Sequence, residues 1–285
     1  MALASQTYTL HTPRHGPLFA QEWLPEAAPR AIVCLVHGLG EHSSRYAHVA
    51  GALTKAGFGL SAFDLRGHGK SPGQRGHFQS YASGLEDIQS LLDEAARRHS
   101  EKPTFLYGQS LGGNLVLNLA LRRKCRLAGV IATAPLIRLA FEPPRAKVFL
   151  AKAVGRIWPA FSNVCGCEAG ALCRDPAVVQ KYVGDPLAHD LISAGLFVEV
   201  SRAGLWALEH AANLRLPTLV MHGSADQLTS VDASRQFAER AGQCCTLKVW
   251  DGAYHELHNE PEKEAVFAYM LAWLNTRMAS SALRG

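Results

Sequence analysis

The chain has 285 residues, 48% of them hydrophobic. That suffices for one large core and fits a single domain with an insertion better than two equal domains. The net charge of +5 is scattered, with Arg122-Arg123-Lys124 as its longest run, and no basic stripe carries interleaved aromatics, so no nucleic-acid partner is expected. No run of 18 apolar residues suggests a membrane span. Met1 to Gln6 lacks the basic start and apolar segment of a signal peptide, so a reducing cytoplasm is the simplest expected compartment.

Two extended segments, Thr7 to Leu10 and Leu18 to Leu24, open the chain as an antiparallel ribbon. Ala31 to Val36 is a continuous apolar run, the pattern of a strand covered on both faces, and it ends at His37-Gly38-Leu39-Gly40. Arg45 to Ala56 has helical spacing and stops at Gly57. Phe58 to Phe63 is the next strand, followed by a Gly-rich turn from Arg66 to Gly73 and a helix from Tyr81 to His99. Pro103 to Tyr107 reads as a buried strand, Asn114 to Leu121 as a helix and Leu127 to Ala134 as a strand. Alternating strand and helix imply right-handed crossovers and a mostly parallel sheet.

The rhythm breaks after Pro135. Residues 137–210 hold no strand of core type but carry apolar helical patches, Lys147 to Ile157 and Ala194 to Leu208. The stretch is too long for a loop. It is expected to be an inserted, mainly helical cap on a core made of 1–136 and 211–285. Strands resume at Pro217 to His222 and Thr246 to Trp250, with helices at Asp232 to Ala241 and Glu262 to Met278.

Gly108-Gln109-Ser110-Leu111-Gly112 lies between the buried strand and its helix. Strand, sharp turn and helix are the setting of a nucleophile elbow, which lifts the serine hydroxyl clear of the sheet. The flanking glycines leave room where a side chain would meet the neighbouring strand and helix. A serine hydroxyl is a weak nucleophile at neutral pH and needs a base, itself oriented by an acid. In this topology the order is serine, acid, histidine, each beyond a strand end. Asp226 fits the acid, with Asp251 and Glu256 as alternatives. His255 fits the base, with His222 and His258 competing. The oxyanion needs two N–H donors, expected from Leu111 and from Leu39 in the turn after His37. No metal is expected: Cys165, Cys167 and Cys173 lack zinc spacing and have no histidine close by.

His37 to Tyr46, Asp64 to Gly73, Gly108 to Gly113, Gly223 to Asp226 and Gly252 to His258 resemble five signature segments of the monoacylglycerol lipases, a branch of the α/β-hydrolase superfamily that includes lysophospholipases. A histidine often replaces Gln109 in that branch. The resemblance runs from about residue 7 to 275 and is weakest over 137–210. It implies an α/β-hydrolase fold, no cofactor, and hydrolysis of glycerol esters with one acyl chain. A lysophospholipase or general carboxylesterase with the same three residues is the alternative. By the same resemblance Glu41, Arg45 and His258 meet the glycerol hydroxyls, joined by Tyr182. The plainer reading of Arg45 and Glu41 is a surface pair of little energetic weight. An acyl chain gains about 0.8 kcal/mol per buried CH₂. The apolar cap faces (Val148, Phe149, Leu150, Ile157 and Phe161; Leu196, Phe197, Val200, Leu205 and Trp206) are therefore expected either to line an acyl tunnel or to pack on the core. Where exposed they favour transient contact with a lipid surface, and the protein is expected as a monomer or homodimer.

Overall fold

The computed structural model describes residues 5–282, excepting the side chains of Lys147 and of residues 280–282. The expected core ends at 1–4 and 283–285 lie outside the described residues. The chain runs β1 (Gln6–Leu10), β2 (Leu18–Trp23), β3 (Ile32–Val36), α1 (Ala47–Lys55), β4 (Gly59–Phe63), α2 (Tyr81–Arg98), β5 (Thr104–Gln109), α3 (Leu111–Arg122) and β6 (Gly129–Thr133). It continues through α4 (Arg145–Ile157), β7 (Ser162–Val164), α5 (Pro176–Val183), β8 (Leu191–Ser193) and α6 (Ala194–Glu209). It closes with β9 (Thr218–Gly223), α7 (Val231–Ala241), β10 (Cys245–Trp250) and α8 (Lys263–Ala282).

Eight strands form one sheet in the order β1-β2-β4-β3-β5-β6-β9-β10. β2 pairs antiparallel with β1 and with β4, and every later pairing is parallel. The mostly parallel character follows from the β3, β5 and β6 runs, which are buried on both faces. One face packs on α2, α3, α6 and α7 through Ile88, Leu115, Val200 and Phe237. The other packs on α1 and α8 through Val49, Leu53, Phe267 and Leu274.

Between β6 and β9 the chain leaves the sheet. β7 and β8 make a separate two-stranded antiparallel ribbon. α5, which the sequence pattern did not single out, begins at Pro176 after an Asp175 side chain that accepts from the Ala177 N–H. The two apolar faces of this stretch part ways. Leu196 and Val200 of α6 are buried in the core, whereas Phe149 (74% exposed), Ile157 (85%) and Trp158 (61%) stand in solvent around α4.

Main-chain bonds also tie this stretch to the core. The His189 N–H donates to the Gly40 carbonyl at 3.0 Å, and the Ser193 N–H to the Gly76 carbonyl at 2.9 Å. A Cβ at Gly40 would lie 2.0 Å from the His189 carbonyl oxygen, and Gly40 has φ +73°, so only glycine fits there without strain.

Candidate active site

Ser110 joins β5 to α3 with φ 54° and ψ −112°, a positive-φ conformation that non-glycine residues rarely adopt. The turn closes because the glycines two residues away on either side have no side chain. A Cβ on Gly108 would stand 2.3 Å from the Gly112 carbonyl oxygen, and one on Gly112 would stand 2.0 Å from that of Val36 in β3. The Ser110 N–H is bonded to the Thr133 carbonyl at 2.9 Å, which fixes the turn to β6.

The loops after β9 and β10 place Asp226 and His255 together. The Nδ1–H of His255 donates to Asp226 Oδ2 at 2.7 Å, and both side chains are buried. The amide Nε2 of Gln109 donates to the His255 carbonyl at 3.1 Å, tying the base loop to the residue before Ser110. The other carboxylate oxygen of Asp226 accepts the N–H groups of Leu228 (2.7 Å) and Thr229 (3.0 Å). Burial works against the ionised Asp226, but the His255 and His222 rings outweigh it and hold the carboxyl far below the usual range. Burial likewise disfavours a charged His255, yet the Asp226 carboxylate raises its pKa above the ordinary value.

The turn after β3 faces Ser110 from the other side. A Cβ on Gly38 would lie 3.2 Å from the Ser110 Cβ. The Leu65 N–H donates to His37 Nε2 at 2.9 Å, so Nδ1 carries the ring hydrogen and donates it to the Gly38 carbonyl at 2.7 Å. In a trans peptide the next N–H points opposite to that carbonyl. His37 thus fixes the direction of the Leu39 N–H. Leu111 is the first residue of α3, where helical N–H groups have no partner within the helix.

Among the competing residues, Asp251 is exposed and accepts from the Ser224 hydroxyl at 3.1 Å, a turn contact away from His255. Glu256 pairs with Arg45 at 2.8 Å through both oxygens and also accepts from Asn259 at 2.7 Å. His222 does not replace His255 but shares its carboxylate, with Nε2 3.0 Å from Asp226 Oδ2.

The residues expected around the glycerol end form a buried ionic cluster. Arg45 bridges Glu41 and Glu256 at 2.8 Å each, with side chains 10%, 2% and 4% exposed. This corrects the surface-pair reading of Arg45 and Glu41. Glu41 Oε1 also accepts the Gly38 N–H (2.6 Å) and the Tyr46 hydroxyl (2.8 Å), so the cluster braces the turn beside Ser110. Burial raises Glu256, but the Arg45 guanidinium outweighs it and holds the carboxyl at about 2. His258 is buried and stacks on Tyr46 with ring centroids 4.6 Å apart. Among the described residues neither ring nitrogen of His258 has a hydrogen-bond partner, and burial lowers its pKa to about 3. Tyr182 takes Arg45 over its ring at 4.9 Å and donates its hydroxyl to the His189 carbonyl at 3.2 Å. Glu256 as the second anchor of Arg45 escaped the sequence reading; the only local signal was its place next to His255.

Of the three cysteines between β7 and α5, Cys173 follows Leu172, whose carbonyl accepts the Glu256 N–H at 2.7 Å. The Cys167 N–H contacts Cys165 Sγ at 3.3 Å, and Cys173 is buried with its thiol 3.6 Å from the Asp175 carbonyl.

The family model described as Hydrolase_4, serine aminopeptidase S33, matches residues 27–262. A monoacylglycerol lipase of Mycolicibacterium smegmatis is 35% identical over 254 residues, which cover 88% of this chain and 90% of that protein. An uncharacterized abhydrolase domain-containing protein of Dictyostelium discoideum is 35% identical over 98% of this chain, and the chain spans 30% of that protein's length. The crystal structure of the Paleococcus ferrophilus monoacylglycerol lipase superposes with a TM-score of 0.84 at 37% identity, over 91% of this chain and 99% of that one. Fold, elbow and relatives agree: the chain belongs to the Hydrolase_4 family, in the monoacylglycerol lipase branch of the α/β-hydrolase superfamily.

Proposed function

We propose that this carboxylic ester hydrolase cleaves monoacylglycerols to fatty acid and glycerol through an acyl-enzyme on Ser110. The single observation that carries the reading is the His255–Asp226 contact of 2.7 Å on a loop tied at 3.1 Å to Gln109, the residue before a serine at positive φ. His255 takes the Ser110 proton as the oxygen attacks the ester carbonyl, and Asp226 holds the imidazole and offsets its charge. The oxyanion is met by the N–H groups of Leu39 and Leu111. His255 then returns the proton to the leaving glycerol oxygen, and water releases the acid by the same route. The likeness to proteins named monoacylglycerol lipase supports the substrate class. Glu41, Arg45, Tyr182 and His258 form the polar group that receives the glycerol hydroxyls. Residues 137–210 act as a cap, and the exposed apolar side chains of α4 touch a lipid surface transiently.

The test compares a monoacylglycerol, a lysophospholipid and a p-nitrophenyl ester at matched chain length, with di- and triacylglycerols as controls. A glycerol-ester preference above about tenfold is expected, the size that a few placed contacts supply. A preference for the lysophospholipid, or none, assigns the same three residues to a lysophospholipase or a general carboxylesterase.

A further inference from the structure

Asp226 Oδ2 is contacted by a second imidazole to which the mechanism above gives no part. His222 lies near the end of β9 and is fully buried, directly after the apolar Leu219, Val220 and Met221. A buried ring in such a place is costly unless its nitrogens are satisfied. Both are. Nε2 stands 3.0 Å from Asp226 Oδ2 and 3.2 Å from the Thr229 carbonyl. Both neighbours accept, so Nε2 carries a hydrogen. In the neutral ring Nδ1 is then a lone pair. It lies 2.8 Å from the buried Ser234 hydroxyl of α7, which donates to it.

A directed chain results. Ser234 donates to His222, His222 donates to Asp226 Oδ2, and His255 donates to the same oxygen from the other side. The Thr229 hydroxyl is 2.8 Å from Oδ2 and 3.1 Å from the Ala134 carbonyl, and like the His222 Nε2 hydrogen it is divided between two acceptors. Oδ1 is held by two backbone N–H groups, so Oδ2 is the oxygen on which His222 acts, together with His255 and the Thr229 hydroxyl.

We infer that His222, oriented by Ser234, is a positioning residue that holds Asp226 Oδ2 on His255 and shares the charge offered to it. This deepens the proposed function and rests on the roles given there to Ser110, His255 and Asp226. The titratable groups around His255 are Asp226 from the loop after β9, Glu256 beside it, Glu41 from the turn after β3, and the neutral His258 ring.

The experiment measures kcat and KM on p-nitrophenyl butyrate from pH 5 to 9 for wild type, His222→Gln, His222→Phe and Ser234→Ala. Ser110→Ala serves as a control, and a fluorophosphonate probe labels the nucleophile. For His222→Phe, kcat falls about 100-fold, the scale of a misplaced catalytic group. KM stays nearly constant. The acid limb of kcat/KM moves to higher pH, because His255 faces an undivided carboxylate. His222→Gln keeps a side-chain N–H there and restores most of kcat and the limb. Should His222→Phe not fold, Ser234→Ala decides: it removes one hydroxyl, lowers kcat and moves the limb the same way. An unmoved acid limb, or kcat at the wild-type level in the folded variants, overturns the inference. A wild-type protein that the probe does not label at Ser110 overturns the mechanism it rests on instead.

Discussion

Ser110 carries its hydroxyl in a backbone basin that costs a non-glycine residue of order 1–3 kcal/mol. Two substitutions separate chemistry from strain. Ser110→Ala keeps the strained turn and lowers turnover by about 10⁴-fold or more. Ser110→Gly is equally inactive but relaxes the turn, so it melts above Ser110→Ala, by of order 1 kcal/mol. Calorimetry of the two variants reads the difference, and equal melting points rule out stored strain. Asp226→Asn offers an amide where His255 needs a carboxylate and lowers kcat about 10⁴-fold through the wrong tautomer. The glycines at 108 and 112 were readable in the sequence because their reason is local: strand and helix cross within five residues. The Arg45–Glu256 pair was not, because it joins positions 211 residues apart and only the finished fold chooses that partner.

At the scale of elements, α4 and α6 show how one kind of pattern has two outcomes. Both carry an apolar stripe, yet α6 buries Leu196 and Val200 while Phe149 and Leu150 of α4 remain in solvent. Periodicity reports that a helix has an apolar face, not what covers it. The exposed face predicts a contact that soluble substrates do not need. Phe149→Ser with Ile157→Ser lowers hydrolysis of long-chain monoacylglycerol presented in vesicles severalfold, and leaves a short soluble ester unchanged. Equal loss on both substrates places these side chains in the acyl site instead. α5 was hidden for another reason: it has eight residues, and its start signal, Asp175 before Pro176, is brief.

The whole molecule responds to acid through its buried histidines. Burial holds His258 at about 3, so between about pH 6.5 and 3 the unfolded chain binds the proton that the folded chain refuses. Stability therefore falls as pH drops through that window. His37, His48, His68 and His189 are lowered mainly by burial and act in the same direction. Glu256, held at about 2, adds a loss between about pH 4.5 and 2. His255 opposes them: its pKa is raised, so its contribution is complete below its unfolded pKa and is lost as pH rises through the folded one. Five rings outweigh one. The melting temperature falls on acidification from pH 7 to 4, and His258→Phe, which keeps the stacking on Tyr46, flattens that slope. Melting curves at unit pH steps measure both, and a flat wild-type profile contradicts the account.

If residues 137–210 act as the proposed cap, the bond from His189 to the Gly40 carbonyl constrains how a lipid reaches Ser110. Its acceptor is the neighbour of Leu39, so on the function proposed above, lifting residues 137–210 at that seam drags the amide assigned to the tetrahedral species. A second such rivet joins Ser193 to Gly76. If residues 137–210 act as the proposed cap, Gly40 and Gly76 are where it is fastened, and the greasy flank of α4 is the side a fatty chain meets first.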